Sequence, residues 1–213
     1  MTATITLGTL TDWLELFQRE VTEQQGYLTE LDSAIGDADH GINMARGMTA
    51  VKEKIAAEPA GTADEMLKKV GMTLVSSVGG ASGPLYGTFF LRMGVAAGAV
   101  TELDAARVGS SLRAGLDGLV QRGKPELGDK TMYDALAPAL DAYDAAVRGG
   151  GSIEAALADA SAAAAAGRDA TRDLVARKGR ASYLGERSAG HLDPGSASAA
   201  MLIETFSRAV DSR

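Results

Sequence analysis

Three aspartates lie within eight residues in the segment "LDSAIGDADHGINMARG", residues 31–47, at Asp32, Asp37 and Asp39. Carboxylates this close repel one another, so their clustering indicates that a cation binds among them. Hard oxygen ligands suit Mg²⁺, which takes few protein ligands and commonly bridges carboxylates to phosphates. A calcium EF-hand counted from Asp37 would need glycine at Ile42 and glutamate at Met48, so that alternative fails. The other interpretation is that the aspartates only form turns and cap helices.

A helix is predicted to begin near Gly41, directly after these aspartates. The first N–H groups of a helix have no partner within it and attract anions, so a phosphate is expected beside the carboxylates. His40 lies between the carboxylates and this helix start, which makes it a candidate functional residue.

Two further segments combine glycine with polar residues. In "VGGASG", residues 78–83, the glycines allow backbone amides to approach an anion and Ser82 can donate a hydrogen bond. The segment matches neither the P-loop nor the dinucleotide fingerprint, and a simple turn is the alternative. In "GDKTM", residues 128–132, Asp129 and Thr131 could contact a ligand or only cap the next helix.

The segment "RKGRASYLGERSAGHLDPG", residues 177–195, contains the dense positive charge of Arg177, Lys178, Arg180 and Arg187. An arginine beside a transferring phosphoryl group would stabilise the charge that develops there, whereas a solvated basic loop is the alternative. His191 could act as a base, but a hydrogen-bonded loop residue is the favoured interpretation.

Apolar residues recur at three- and four-residue spacing along most of the chain, for example at Leu10, Trp13 and Phe17, and this period is typical of amphipathic helices. Alternating runs rich in β-branched residues are missing, so no strands are predicted and the fold class is all-α. The alanine-rich run at residues 154–170 is predicted to be a helix that allows close approach of its neighbours. The predicted helices span 8–31, 42–57, 63–78, 84–99, 104–121, 131–148, 152–177 and 196–210.

Short connections between long helices favour an up-and-down bundle, in which every second connection lies at the same end. The connections after the second, fourth and sixth predicted helices are "AAEPAGT", "TEL" and "GGG", which only turn the chain. Those after the first, third, fifth and seventh are the polar, glycine-rich segments described above. All four should therefore meet at one mouth, together with both histidines of the chain.

Length and composition predict one domain over residues 1–213. The absence of cysteine excludes disulfides and thiolate metal sites. The net charge of -7 argues against a nucleic-acid or membrane surface and also means that metal ions would help a phosphate ligand to bind. The chain begins without a signal-peptide pattern, and a cytoplasmic location is expected.

Four motifs, "GDADHG", "SSVGGASGPLYGTFF", "GDKTM" and "RASYLGERSAGHLDPG", occur in an order and spacing that resemble the nucleotide-binding L subunits of bacterial dihydroxyacetone kinases. The resemblance runs from about Trp13 to the last helix. It implies a closed barrel of eight antiparallel helices that holds ADP or ATP and two Mg²⁺ ions at one end. This expectation agrees with the mouth inferred from the connections.

The resemblance also assigns roles to individual residues. It implies that Asp32, Asp37 and Asp39 bind magnesium and that Arg180 reaches the phosphates, so these four are the candidate catalytic residues. The other implied nucleotide contacts are His40, Gly41, Ile42, Asn43, Ala81 and Ser82 near the phosphates, Gly123 and Met132 near the adenine, and Asp193, Pro194 and Gly195 in a closing segment.

The activity implied by the resemblance is a phosphoryl relay of the phosphotransferase-dependent type. A phosphohistidine protein would recharge bound ADP, and the γ-phosphate would pass to dihydroxyacetone held on a separate K subunit. A homodimer is expected. An ATP-dependent kinase for a related ketose such as erythrulose is one alternative, and a binding module for a transcription regulator is another.

Overall fold

The computed structural model describes residues 4–211, and helices dominate that range. The long helices are α1 (Leu7–Glu23), α2 (Gln25–Ile35), α3 (His40–Ala57), α4 (Ala63–Ser77), α5 (Ser82–Ala97), α6 (Ala105–Gly123), α7 (Met132–Arg148), α8 (Ile153–Ala170) and α9 (Pro194–Asp211). Two 3₁₀ segments, Thr171–Asp173 and Arg180–Ser188, lie between α8 and α9.

Eight of these helices form a closed ring, which confirms the predicted all-α bundle. Helix α1 packs against α3, each helix from α3 to α8 packs against the next along the chain, and α9 packs back against α1. Trp13 on α1 closes the ring, because its indole stacks on Phe206 of α9 with ring centroids 4.2 Å apart and its Nε1 donates to Leu202 O at 2.9 Å. Both aromatic side chains are buried, so this contact also lies in the core.

The prediction of one continuous helix over residues 8–31 is wrong, because the structure has two helices in this range. The chain breaks at Gln24, whose φ of -93° and ψ of 11° are not helical, and α2 then extends to Ile35. Gly26 lies two residues further on, in the first turn of α2, and glycine is among the weakest helix formers, so a continuous helix is weakly favoured at this point of the chain. Helix α2 leaves the ring position of α1 and contacts α3 and α9, which places Asp32 close to the start of both helices.

Other helix boundaries also differ from the predictions, most of them by one or two residues. Helix α3 begins at His40 rather than at 42, and α9 begins at Pro194, a residue whose fixed φ suits a first helical turn. Helix α8 ends at Ala170, where the chain enters 3₁₀ turns, and not at 177. The expectation of no strands is also wrong, because Ile5–Thr6 (β1) pairs antiparallel with Glu102–Leu103 (β2), a pairing too short to leave an alternating pattern.

Small residues allow α8 to approach its neighbours closely, as the alanine-rich run predicted. Ala156, Ala160 and Ala164 are buried, and a Cβ on Gly167 would lie 2.2 Å from Asp134 O of α7. Over residues 4–211, no helix combines the length and the apolar character that crossing a bilayer requires.

Candidate functional site

The four polar connections line one cavity of about 550 Å³, which confirms that they meet at one end of the bundle. We call it the mouth cavity. The connections are residues 36–39, 78–81, 124–131 and 171–193. The predicted site residues that line the cavity are Asp32, Asp37, Asp39, His40, Ala81, Ser82, Gly123, Met132, Arg180, Asp193, Pro194 and Gly195.

The three predicted metal-binding aspartates come together at the cavity, and one carboxylate oxygen from each lies within 4.8 Å of the others. Asp32 is buried and its Oδ2 accepts hydrogen bonds from the N–H of Asp39 at 2.9 Å and of His40 at 3.1 Å. The turn depends on Gly36, because a Cβ there would lie 2.0 Å from Asp32 Oδ1. Three convergent carboxylate oxygens are a donor set that fits a hard divalent cation.

The acidic cluster is joined to the basic loop, which we define as residues 174–191. Arg180 Nη2 lies 3.0 Å from Asp37 Oδ2, and the two side chains are 69% and 37% exposed. Because both charges face solvent, this ion pair contributes little to folding stability, typically about 0.5 kcal/mol. The arginine is therefore held at the cavity by a contact that a ligand can displace at small cost.

His40 is the centre of a buried hydrogen-bond chain. Its Nδ1 lies 3.2 Å from Ser82 Oγ and its Nε2 lies 2.9 Å from Ser198 Oγ, which in turn lies 2.7 Å from the hydroxyl of Tyr86. Burial lowers the pKa of His40, against the opposing effect of Asp32 and Asp39, so the ring is neutral near pH 7. These hydrogen bonds link the start of α5 to α9, and both ring nitrogens of His40 are engaged.

Three of the predicted nucleotide contacts, Gly41, Ile42 and Asn43, do not line the cavity. A Cβ on Gly41 would lie 2.1 Å from Gln25 O, so this glycine allows α3 to pack against α2. Ile42 is 47% exposed, and Asn43 Oδ1 accepts a hydrogen bond from Arg46 at 2.7 Å. Their contact with phosphates stays a prediction that rests on the backbone of this turn.

Apolar residues line another part of the mouth cavity: Leu85, Leu119, Pro125 and Met132, beside Gly123. A Cβ on Gly123 would lie 3.4 Å from Leu85 Cδ2 and 3.6 Å from Pro125 Cδ. An apolar wall beside converging charged groups is typical of small-molecule sites, in which the wall takes the flat, uncharged part of a ligand.

Asp193 is buried at the start of α9, where its Oδ2 accepts the Ser196 N–H at 2.5 Å and its own N–H donates to Thr171 Oγ1 at 3.1 Å. Burial raises the pKa of Asp193 to about 7, with Asp134 and Asp32 acting in the same direction. The hydrogen bond from Ser196 and the charge of Lys130 oppose the rise.

Several cavity-lining residues were missed by sequence reasoning, among them Tyr86, Arg122 and Lys130. Tyr86 and Lys130 occur inside the motifs quoted above, so the motifs contained the signal, but neither residue type by itself indicated a role. Thr131 also lines the cavity, and its side chain caps α7 by accepting from the N–H of Tyr133 at 3.2 Å, as one of its two interpretations predicted.

The basic residues of the fourth connection do not all face the cavity. Lys178 and Arg180 line it, whereas Arg177 and Arg187 do not. His191 is exposed and also lies outside the lining, and its carbonyl oxygen accepts a hydrogen bond from Lys130.

The chain matches known proteins over nearly its whole length. The DAK2 domain family matches residues 34–208. The ADP-binding subunit DhaL of PEP-dependent dihydroxyacetone kinase 1 from Listeria innocua is 46% identical over 194 residues, which cover 91% of this chain and 92% of that protein. The corresponding ADP-binding subunit from Escherichia coli is 44% identical over 200 residues, covering 94% and 95%.

A solved structure shares the same architecture. The dihydroxyacetone kinase from C. freundii in complex with AMP-PNP and Mg²⁺ superposes with a TM-score of 0.71 at 27% identity, covering 93% of this chain. The chain spans about a third of that larger protein, 33% of its length. By sequence and by fold, the chain therefore belongs to the DAK2 domain family and groups with the ADP-binding subunits of bacterial dihydroxyacetone kinases.

Proposed function

We propose that this chain is the nucleotide-binding subunit of a dihydroxyacetone kinase and that it holds ADP or ATP with two Mg²⁺ ions in the mouth cavity. The observation that carries the proposal is the convergence of three carboxylates and an arginine in one cavity that also has an apolar wall. Names of close relatives support the same assignment, since they are ADP-binding subunits of this kinase.

Charged and apolar residues of the cavity would bind different parts of the nucleotide. Asp32, Asp37 and Asp39 would hold the magnesium, and the apolar wall around Gly123 and Met132 would take the adenine. Bound magnesium neutralises phosphate charge, which matters in a chain whose net charge is -7. The residues around Ala81 and Ser82 have small side chains, so the backbone there can approach the phosphates closely.

Arg180 is the residue we assign to phosphoryl transfer. Its guanidinium lies at the cavity and can donate two parallel hydrogen bonds to phosphate oxygens. Phosphoryl transfer requires little covalent chemistry from the protein, so positioning and charge stabilisation supply most of the catalysis. Release from Asp37 would let the arginine turn toward the phosphates.

The same geometry supports a relay between two protein partners. A phosphohistidine protein of the phosphotransferase system would recharge ADP on this chain, and the γ-phosphate would pass to dihydroxyacetone on a substrate-binding K subunit. The exposed basic loop beside the cavity can contact such partners. A homodimer, a cytoplasmic location and a second role at a transcription regulator stay predictions.

Bound nucleotide tests this proposal directly. The protein is purified in magnesium buffer and denatured, and the released nucleotide is quantified by chromatography. A relay that retains its nucleotide should yield about one ADP per chain. An ATP-dependent kinase for a ketose such as erythrulose exchanges its nucleotide and should be recovered largely empty, so an empty protein that still turns over ATP would favour that alternative.

A further inference from the structure

Lys130 lies in the third connection and its side chain is buried, with 1% of the residue exposed. Its Nζ donates to three backbone carbonyls of the fourth connection: Leu174 O at 3.0 Å, Ser188 O at 2.6 Å and His191 O at 2.6 Å. An ammonium group has three N–H donors, so all of them are engaged. Lys130 therefore has no donor left for a phosphate in this arrangement.

The three carbonyls belong to the two ends of the basic loop. Leu174 lies where the loop begins, and Ser188 and His191 lie where it returns to α9. One buried ammonium thus holds both ends of the loop against the third connection. Lys178 and Arg180, which face the mouth cavity, lie on the part of the loop between these ends.

Neutral hydrogen bonds complete the base of the loop. Arg177 N–H donates to Asp129 O at 3.1 Å, Ala176 N–H donates to Ser188 Oγ at 2.8 Å, and Gly190 N–H donates to Arg172 O at 2.7 Å. The Lys130 ammonium contacts both ends at once. A buried charge is costly unless it is hydrogen-bonded, and among the described residues the acceptors of this ammonium are carbonyls rather than a carboxylate.

We infer that Lys130 is a positioning residue, whose ammonium fixes the basic loop so that Arg180 is held at the mouth cavity. The inference rests on the proposed function, because it assumes that Arg180 contacts bound nucleotide. It assigns Lys130 no contact with the nucleotide itself. Loss of the ammonium should therefore weaken only the contact of Arg180 with bound nucleotide. A purely structural lysine would instead lower the folding stability without a selective effect on Arg180.

A double-mutant cycle on nucleotide release separates these roles. The dissociation rate of a fluorescent ADP analogue is measured with Mg²⁺ for Lys130→Met, Arg180→Gln and the double variant. Each single substitution should raise the rate about tenfold, since a hydrogen bond to a charged group is worth that much, and the double variant should match Arg180→Gln alone. Lys124→Met is the matched control, because Lys124 and Lys130 both have a positive φ, 47° and 62°, but Lys124 is exposed.

The outcomes distinguish the inference from the proposed function. The role of Lys130 would be overturned if the two single-variant increases in dissociation rate multiplied in the double variant. It would also be overturned if Lys130→Met left the dissociation rate unchanged while Arg180→Gln raised it. Either result would leave the proposed function intact. If Arg180→Gln left the dissociation rate unchanged, Arg180 would have no role in the proposed function. The inferred role of Lys130 in positioning Arg180 would then be lost as well.

Hydrogen exchange supplies a second measurement that does not depend on nucleotide. In the unaltered protein, the amides of Ala176, Arg177 and Gly190 should exchange at least tenfold more slowly than that of exposed Tyr183, and Lys130→Met should remove that protection. If these amides exchanged as fast as that of Tyr183 in the unaltered protein, the base of the basic loop would not be fixed and the inference would be refuted, even if Lys130→Met did not fold. Lys130→Gln, which keeps two N–H donors, should then show partial protection and a smaller increase in release rate.

Discussion

Arg180 Nη2 lies 3.0 Å from Asp37 Oδ2, so the basic loop touches the acidic cluster directly. The contact joins the first and fourth connections, which are distant in sequence and meet only because the helices run up and down the ring. Because the pair is exposed, it is weak, and either partner can be exchanged for a ligand group. The contact therefore fits an arrangement in which cation binding at Asp37 frees Arg180 for phosphate.

Removing the arginine charge should slow phosphoryl transfer without affecting the fold. Arg180→Gln is expected to lower kcat by about 10²- to 10³-fold, since a charge-stabilising donor at a transferring group contributes on this scale. Transfer is measured with the proposed K subunit and the proposed phosphohistidine donor, and circular dichroism reports the fold. Arg187→Gln removes a charge from the same loop outside the cavity lining and should cost at least tenfold less; equal losses would refute a specific role for Arg180.

Neutralising one carboxylate should disrupt magnesium-dependent nucleotide retention. Asp37→Asn keeps the shape of the side chain but removes the charge that attracts the cation, so co-purified ADP should fall below about a tenth of its wild-type level. Helical circular dichroism should be unchanged, because Asp37 is exposed and supports no helix cap. Asp12→Asn, on the exposed face of α1, is the control. Full retention by Asp37→Asn would contradict the metal assignment.

A methyl group at Gly41 should disrupt the start of α3. Its Cβ would lie 2.1 Å from Gln25 O, a backbone atom that cannot move alone, so Gly41→Ala should lower the free energy of unfolding by about 2 kcal/mol or more. Urea unfolding measures the change. Gly26→Ala, on α2 with no atom within 4 Å of the added Cβ, should instead stabilise by up to about 1 kcal/mol. Equal effects at both positions would contradict the packing described here.

The buried carboxyl of Asp193 should make the ligand-free protein less stable at high pH. Its pKa is about 7 in the folded protein and near 3.8 when exposed, so the folded state binds more protons between pH 4 and 7. The contribution of this residue therefore falls as pH rises through that range and stays at its lowest value above it. Asp193→Asn, which stays neutral, should raise Tm at pH 8 by about 3 °C or more and change it little at pH 4.

Thermal denaturation of the two proteins at both pH values checks this prediction. In the Asp193→Asn variant, Ser196 N–H can still donate to the side-chain amide oxygen, so the start of α9 keeps its cap. A variant that loses stability equally at pH 4 and pH 8 would show that the pKa of the carboxyl is not raised by burial.

The arrangement of the site could be predicted from the sequence because it follows from helix order. Helical periodicity and the alternation of plain and polar connections were enough to place the four polar segments at one end. The break at Gln24 could not be predicted, since the apolar period continues on both sides of it and only the packing of α2 against α3 and α9 determines the change of direction.

Residues that act through tertiary contacts were also beyond sequence reasoning. Ser198 bonds His40 from the middle of an ordinary amphipathic helix, and Lys130 bonds carbonyl oxygens, which every residue has and no sequence pattern marks. Conversely, the sequence placed Ile42 and Asn43 at the helix start correctly, but side-chain direction turns both away from the cavity lining.

The acidic cluster is proposed to bind adenine nucleotide through a divalent cation, and every functional role assigned above depends on that binding. Isothermal titration calorimetry of the nucleotide-free protein with ADP, in the presence and absence of Mg²⁺, is the decisive test. We expect saturable binding near one ADP per chain with Mg²⁺, and binding at least a hundredfold weaker without it. Equal affinity under both conditions, or no heat of binding at millimolar ADP and Mg²⁺, would contradict the proposal.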